Sequence, residues 1–283
     1  MASDVTLIGV AGSGIMGSGI AQAAAMAGYD VLLYGRREQA VARALDQVRS
    51  SLAKLHEKGK VNEEPETVMS RIMPAGTLEA FSRCNLTVEA VSEDEPAKND
   101  LLKKLARIIP GNAVLATTTS SLSVTRLGDG AGIADRFIGM HFSNPPALME
   151  MLELVPGKQT SGETIRIATE VAMRMGKVIV RSADSPGFVF NRLLVPMIND
   201  AFEELGEGVA CAEEIDSAMK VGAHHPMGPL ALADMIGLDV CLAVMETLDA
   251  ELGGEKYRPS SLLREYVAKG WLGRKAGRGV YLY

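Results

Sequence analysis

The stretch TLIGVAGSGIMGSGIAQAAAMAGYDVLLY restricts the possible folds of this chain more than any other. Gly12, Gly14 and Gly17 form G-x-G-x-x-G between an apolar, strand-like run and an alanine-rich helical pattern. A second apolar run follows at the distance of one βαβ unit, the context that gives this short motif its meaning. Gly12 permits the tight turn, Gly14 lets backbone approach a pyrophosphate, and Gly17 lets helix and strand pack closely. The amides that open the helix, around Ile15 and Met16, then face the anion. The stretch predicts a dinucleotide-binding unit; a glycine-rich turn serving packing alone is the competing reading.

Such units carry an acidic residue at the end of the second strand, roughly 20 residues on, for the adenosine ribose. Here VLLYGRRE places Gly35 in that slot, followed by Arg36 and Arg37. A carboxylate would bond the ribose hydroxyls and repel a 2′-phosphate. Gly35 removes that repulsion and is expected to make room, while the two guanidinium groups offer charge-assisted bonds to a phosphate. This favours NADP (NADPH). In the other reading both arginines are solvated on the next helix and NAD is the cofactor.

The runs TLIGV, VLLY, LTVEAV, AVLATT and RFIGMHF read as buried strands separated by helical segments such as EPAKNDLLKKLARII. This alternation argues for a parallel sheet covered on both faces. LELVPG and GKVIVRS read as two further strands. Beyond ADSPGF the chain turns helical, with Pro196 expected to kink the helix in FVFNRLLVPMINDAFEEL. The predicted fold is α/β, a Rossmann-type doubly wound sheet followed by an all-helical C-terminal domain. With the boundary near Ser185, residues 1–184 form the dinucleotide-binding domain and 185–283 the helical one.

The 283 residues suffice for two domains with cores of their own. Hydrophobic residues make up 47% and charged residues 23%, a soluble globular balance, and the net charge of −6 argues against nucleic acid as a partner. Cys84, Cys211 and Cys241 are far apart, and His56, His224 and His225 have no metal-ligand spacing, so neither a disulfide framework nor a metal is expected. The opening MASDVTLIGV enters a strand at once without a leader pattern, and no apolar run is long enough to span a bilayer. A cytoplasmic protein without a membrane partner is expected.

Five further stretches carry chemistry together: TTTSSLSV, GMHFSNPPALMEMLELV, SPGFVFNRLLVPMINDA, AMKVGAHHPMGPLALADMIGLDV and GWLGRKAGRGVYLY. With their order and spacing, the chain resembles the (S)-3-hydroxyacyl-CoA dehydrogenases over nearly its whole length, most closely the bacterial 3-hydroxybutyryl-CoA branch. The resemblance implies a catalytic His141 in HFSNP and a carboxylate partner Glu153 in LELV. Imidazole titrates near neutrality, so it suits the removal of a hydroxyl proton, and a carboxylate on its other nitrogen would fix the tautomer. Ser120, in the TTSSL stretch, and Asn191, in PGFVFNR, match substrate-contacting positions, as does Asn144 in the HFSNP motif. Glu93 and Lys98 match a pair near the nicotinamide ribose; taken alone, they would equally be a helix cap and a surface charge. Ser51 and Lys58 match positions on the CoA tail, within a basic segment (Arg49, Lys54, Lys58, Lys60) that would equally form a solvated helical face.

Three positions depart from the family pattern: Thr118 replaces Asn, Ser143 replaces Phe and Glu150 replaces Lys. They surround the implied acyl and nicotinamide sites, so the acyl group could be short, branched or polar, on CoA or on protein-bound pantetheine. The resemblance implies reversible reduction of a short 3-oxoacyl-CoA, acetoacetyl-CoA, to its (S)-3-hydroxy form. It also implies a homodimer held by the helical part, where MGPLALADMIGLDVCLAV is apolar enough for a buried interface. A dehydrogenase of free hydroxy acids, like the gulonate dehydrogenase branch, and a nucleotide-sensing binding protein are the rivals. The sensor predicts a missing base, yet His141 and Glu153 are both present.

Overall fold

A computed structural model describes residues 5–283; the first four residues of MASDVTLIGV lie outside the described residues. Chain contacts divide the protein into two compact units, Met1–Ser185 and Pro186–Tyr283.

The first unit is built on one eight-stranded sheet. Its strands are β1 (Leu7–Ala11), β2 (Asp30–Tyr34), β3 (Ile72–Ala75), β4 (Leu86–Glu89), β5 (Val114–Thr117), β6 (Phe137–Phe142), β7 (Met151–Pro156) and β8 (Val178–Arg181). The helices are α1 (Ile15–Met26), α2 (Glu38–Glu57), α3 (Pro65–Met69), α4 (Glu95–Ile108), α5 (Val124–Ala131) and α6 (Gly162–Arg174). The strand order is β3-β2-β1-β4-β5-β6-β7-β8. Strands β1 to β6 run parallel, in the Rossmann order that reverses between β1 and β4.

Covering both faces explains why the strands are apolar rather than alternating. Ile8, Val10, Val31, Leu33, Leu86, Val88, Val114, Ala116, Ile138 and Met140 share one buried cluster. Helix α1 is buried nearly all round, which its alanines allow. Helix α2 buries one stripe, Val41, Ala44, Val48, Leu52 and Leu55, and leaves its charged face in water. Asp94 caps α4 by accepting a hydrogen bond from the Ala97 amide at 2.8 Å.

Two features differ from the sequence expectation. Strand β7 pairs antiparallel with β6, and β8 then runs parallel to β7. Only residues 143–150 join β6 to β7, too few for the crossover that a parallel pair needs. The sequence patterns also pass over β3, a short edge strand with Pro74 inside it and Met73 exposed. An edge is where a strand tolerates proline.

The second unit is helical: α7 (Phe190–Glu207), α8 (Ala212–Gly222), α9 (Pro229–Ile236), α10 (Leu238–Leu252) and α11 (Ser261–Ala268). They pack around Ile198, Phe202, Leu230, Leu238, Cys241, Met245 and Leu248. Helix α7 runs on through the buried Pro196. Two buried carboxylates tie the unit's C-terminal end to its helices. Asp216 accepts from the Leu230 amide (2.8 Å) and the Tyr281 hydroxyl (2.8 Å), and Asp234 accepts from the Val280 and Tyr281 amides (both 2.9 Å). No helix among the described residues is long and apolar enough to cross a membrane.

Candidate active site

Parallel strands gather their carboxyl ends on one edge of the sheet, and a crevice opens there where the strand order reverses. Gly12 follows β1 at that point with φ 141°, and its amide donates to the Tyr34 carbonyl at 2.9 Å. A Cβ on Gly12 would overlap the Ala90 carbonyl beyond β4, and one on Gly17 would overlap the Gly12 carbonyl. By contrast, a Cβ on Gly14 would meet nothing within 4 Å. The first and third glycines are therefore demanded by the protein's own packing, while the second leaves open space. Gly14 is the N-cap of α1; among the described residues no side chain caps that helix, and no acidic residue lies in its first turn. Ile15 is exposed and Met16 half-buried beside it. Uncapped amides with an uncompensated helix dipole fit a pyrophosphate.

At the end of β2 the expected free space is absent. A Cβ on Gly35 would overlap Ser13 Oγ and lie 2.9 Å from Val41 Cγ2. Gly35 thus makes room for the Ser13 side chain, a correction to the reading that it clears space for a ligand. Arg36 and Arg37 are exposed, and neither side chain has an ion pair or hydrogen bond among the described residues.

Between β4 and β5 lies a charge network that the sequence conceals. The Lys98 side chain is 1% exposed; Nζ donates to Glu89 Oε1 at 2.9 Å and lies 3.3 Å from Glu93 Oε2. Glu89, fully buried at the end of β4, also accepts from the Val91 amide and the Thr117 hydroxyl, each at 2.7 Å. Glu93 Oε1 accepts from the Thr119 hydroxyl, the Ser120 and Ser121 amides (2.9 and 3.1 Å) and the Ser121 hydroxyl (3.0 Å). Burial pushes the Glu93 carboxyl up, but Lys98 and these donors outweigh it and hold it below the ordinary glutamate value. Lys98 is therefore not a surface charge, and Asp94, not Glu93, is the helix cap. Ser120 is held half-buried by this clamp, beside Thr118, whose buried hydroxyl has no hydrogen-bond partner among the described residues.

His141 and Glu153 are register partners across β6 and β7. The His141 Nδ1–H donates to Glu153 Oε2 at 2.7 Å, with the Glu153 side chain fully buried and that of His141 13% exposed. A carboxylate only accepts, so this bond places the proton on Nδ1 and makes Nε2 the acceptor of the neutral ring. The pair sits inside the sheet rather than at its edge, because β8 covers β7. Residues 143–150 after His141 are pinned by Lys177, whose Nζ donates to the Pro146 and Met149 carbonyls at 2.6 and 2.8 Å. Pro146 packs on α1 so closely that a Cβ on Gly19 would lie 2.6 Å from its Cδ. The histidine loop and the helix of the glycine turn thus form one packed body. Asn144 is exposed on that loop.

Ser51 is half-buried on α2 and Lys58 exposed just past its end. Arg49 of that basic segment is already paired with Asp46 and Glu66. Asn191, half-buried on the first turn of α7, belongs to the second unit. Much of MGPLALADMIGLDVCLAV is consumed by that unit's own core, through Leu230, Ala233, Leu238 and Cys241; Met235 and Val240 are exposed.

The sequence reading passed over Ser13, Glu89, Lys177 and Asp184. Asp184 accepts from the Ser123 hydroxyl (2.8 Å) and the Val124 and Thr125 amides (2.9 and 2.8 Å). Glu89 had a signal: an acid inside the apolar run LTVEAV must find a cation if the strand is buried.

A nucleotide-binding α/β unit with a histidine–carboxylate pair at its crevice is the arrangement of a nicotinamide-dependent dehydrogenase. The profile for the 3-hydroxyacyl-CoA dehydrogenase NAD-binding domain matches residues 7–185, and that for the C-terminal domain of the same enzymes matches 187–283. This chain belongs to the 3-hydroxyacyl-CoA dehydrogenase family. A Deinococcus radiodurans protein named "Probable 3-hydroxybutyryl-CoA dehydrogenase" is 50% identical over 97% of this chain and 99% of its own length. A 3-hydroxybutyryl-CoA dehydrogenase of Bradyrhizobium diazoefficiens is 44% identical over 100% and 97% of the two chains. The crystal structure of (S)-3-hydroxybutyryl-CoA dehydrogenase from Ralstonia eutropha superposes with a TM-score of 0.96 at 45% identity, covering 99% of each chain.

Proposed function

We propose that this protein interconverts a short-chain 3-oxoacyl-CoA, acetoacetyl-CoA, and its (S)-3-hydroxyacyl-CoA, with NADPH preferred. The observation that carries the reaction type is the 2.7 Å bond between His141 Nδ1 and Glu153 at the carboxyl edge of the sheet. When bound, the nicotinamide supplies or accepts the hydride. In the oxidative direction, His141 Nε2 takes the hydroxyl proton; in the reductive direction, the imidazolium returns it to the carbonyl oxygen. Glu153 stabilises the imidazolium that forms between these events. Ser120 and Asn191 donate to the substrate oxygen as charge develops on it. Glu93 and Lys98 line the ribose side of the cofactor, and the glycine turn with Ile15 and Met16 holds the pyrophosphate. Asn144 borders the acyl group, and Ser51 and Lys58 meet the CoA tail. The cofactor choice rests on Arg36 and Arg37, exposed beside Gly35 and unpaired among the described residues.

The domains that serve this function are 1–184 and 185–283, with a homodimer formed through the helical one in the cytoplasm. Names of the relatives at 44–50% identity support the substrate class. The test is steady-state kinetics with acetoacetyl-CoA and each reduced cofactor. Turnover faster with NADPH is expected. Turnover of free hydroxy acids but not of the thioester would move the protein to that branch, and a carrier-protein thioester used in preference would replace CoA. No turnover with intact dinucleotide binding would make it a nucleotide sensor.

A further inference from the structure

The end of β2 holds a relationship between Ser13 and Gly35 that the sequence pattern does not show. Ser13 lies between the first two glycines of the turn, and the Gly12 amide bond to the Tyr34 carbonyl fixes it against the end of β2. A Cβ on Gly35 would overlap Ser13 Oγ and lie 2.9 Å from Val41 Cγ2 and 3.0 Å from Ser13 Cβ. An acidic side chain at position 35, the usual ribose ligand in such sites, would therefore have to begin in space that Ser13 and Val41 already fill. The Ser13 side chain is half-buried, and its hydroxyl has no hydrogen-bond partner among the described residues.

We propose that Ser13 is a specificity-determining residue for the dinucleotide: its bulk excludes a carboxylate from position 35, and its hydroxyl hydrogen-bonds the 2′-phosphate of the adenosine ribose. This rests on the NADP reading given above. A hydroxyl is neutral and donates as readily as it accepts, so it serves a phosphate oxygen where a carboxylate would repel it. The exposed Arg36 and Arg37 then supply charge from the solvent side, and Ser13 supplies a fixed donor from the turn. Ser13 and Gly35 act as a pair, since either an acid at 35 or a larger residue at 13 would break the arrangement.

Binding of 2′,5′-ADP and 5′-AMP to the full chain, measured by calorimetry, tests this without turnover. Tighter binding of 2′,5′-ADP by the unmodified protein is expected. Ser13→Ala should weaken 2′,5′-ADP by about tenfold, the scale of one hydrogen bond to a charged group, and leave 5′-AMP nearly unchanged. Gly35→Asp alone should weaken both ligands, and adding Ser13→Gly to it should recover part of the 5′-AMP binding, the contact with Val41 remaining. Equal binding of the two ligands by the unmodified protein would overturn the NADP reading and this role with it. A preference for 2′,5′-ADP that falls on Arg36→Ala but is untouched by Ser13→Ala would overturn the role of Ser13 alone. A Gly35→Asp protein that binds 5′-AMP as well as the double variant would overturn the steric exclusion.

Discussion

Glu153 stands directly opposite His141 in the β6–β7 ladder, and the ladder itself brings the carboxylate within 2.7 Å of the ring nitrogen. Opposite residues of an antiparallel pair share one face of the sheet, so no loop has to be ordered to assemble the pair. The fully buried Glu153 cannot turn to water instead. A pair built on rigid strands is held in the geometry that the proposed proton transfer requires.

His141→Ala should therefore lower kcat by at least about 100-fold, the usual contribution of a general acid–base. Dinucleotide affinity, followed by fluorescence titration, should stay close to that of the unmodified protein. Glu153→Gln keeps the shape of the side chain but cannot stabilise an imidazolium, so it should lose rate and change the pH–rate profile. A folded His141→Ala protein with near-normal turnover would remove the histidine from the mechanism.

Lys98 and Glu89 lead to a second prediction, on stability. Their side chains are 1% and 0% exposed, so each charge depends on the other. Replacing either partner alone, as Lys98→Met or Glu89→Gln, should cost about 3–5 kcal/mol, the scale for breaking a buried pair. The double replacement should cost less than the sum of the two, because neither of these two fully buried charges is then left without the other. Chemical denaturation of the three variants measures this, and a strictly additive double variant would show that the pair is not coupled.

Much of this arrangement was legible in the sequence, and the reasons differ from place to place. The glycine turn and the strands beside it could be read because they obey local rules: a buried parallel strand must be apolar, and a turn at a phosphate needs glycine. His141 and Glu153 were found through the resemblance of their motifs, and the short link between β6 and β7 could have announced their antiparallel pairing. Lys98, on α4, was ambiguous because burial of a lysine depends on two carboxylates, one of them at the end of β4. Ser13 and Gly35 meet only after the turn folds back on β2, a contact between segments that no local pattern encodes. Strand β3 is only four residues long and holds Pro74, so it cannot be seen before its partner is known.

Asp184 and Glu93 lead to a third prediction, on pH. Burial raises the Asp184 carboxyl, but bonds from Thr125, Ser123 and Val124 outweigh it and hold it below the ordinary value of 3.8. Glu93 is likewise held below 4.5. A carboxyl depressed by folding binds its proton less readily in the folded than in the unfolded chain. Its stabilisation is complete above the ordinary value and is lost as pH falls through the folded value. Stability should therefore decline as pH falls below about 4.5, where the unfolded carboxyls begin to take up protons. Asp184→Asn should lower Tm near neutral pH and flatten its decline on acidification. An acid limb of unchanged slope in that variant would count against Asp184 as a contributor.

The last prediction concerns Arg36 and Arg37. Both are exposed and, among the described residues, unpaired, so a 2′-phosphate would meet two guanidinium groups that need not give up another partner there. Charge-assisted hydrogen bonds contribute roughly 1.5–3 kcal/mol each, but exposure to water and salt keeps such contacts at the low end. A preference for NADPH over NADH in kcat/KM of about tenfold or somewhat more is the expected outcome at low ionic strength. Added salt shortens the distance over which the arginines are felt, to about 10 Å at 0.1 M and about 3 Å at 1 M. Raising the salt should therefore erode the preference, chiefly through KM for NADPH, and leave NADH nearly unaffected. Arg36→Gln should lower the preference and its salt dependence together, because both come from the same charge. If NADH is used as well as NADPH at low salt, the arginines are ordinary surface residues, and the missing acid at position 35 has no replacement.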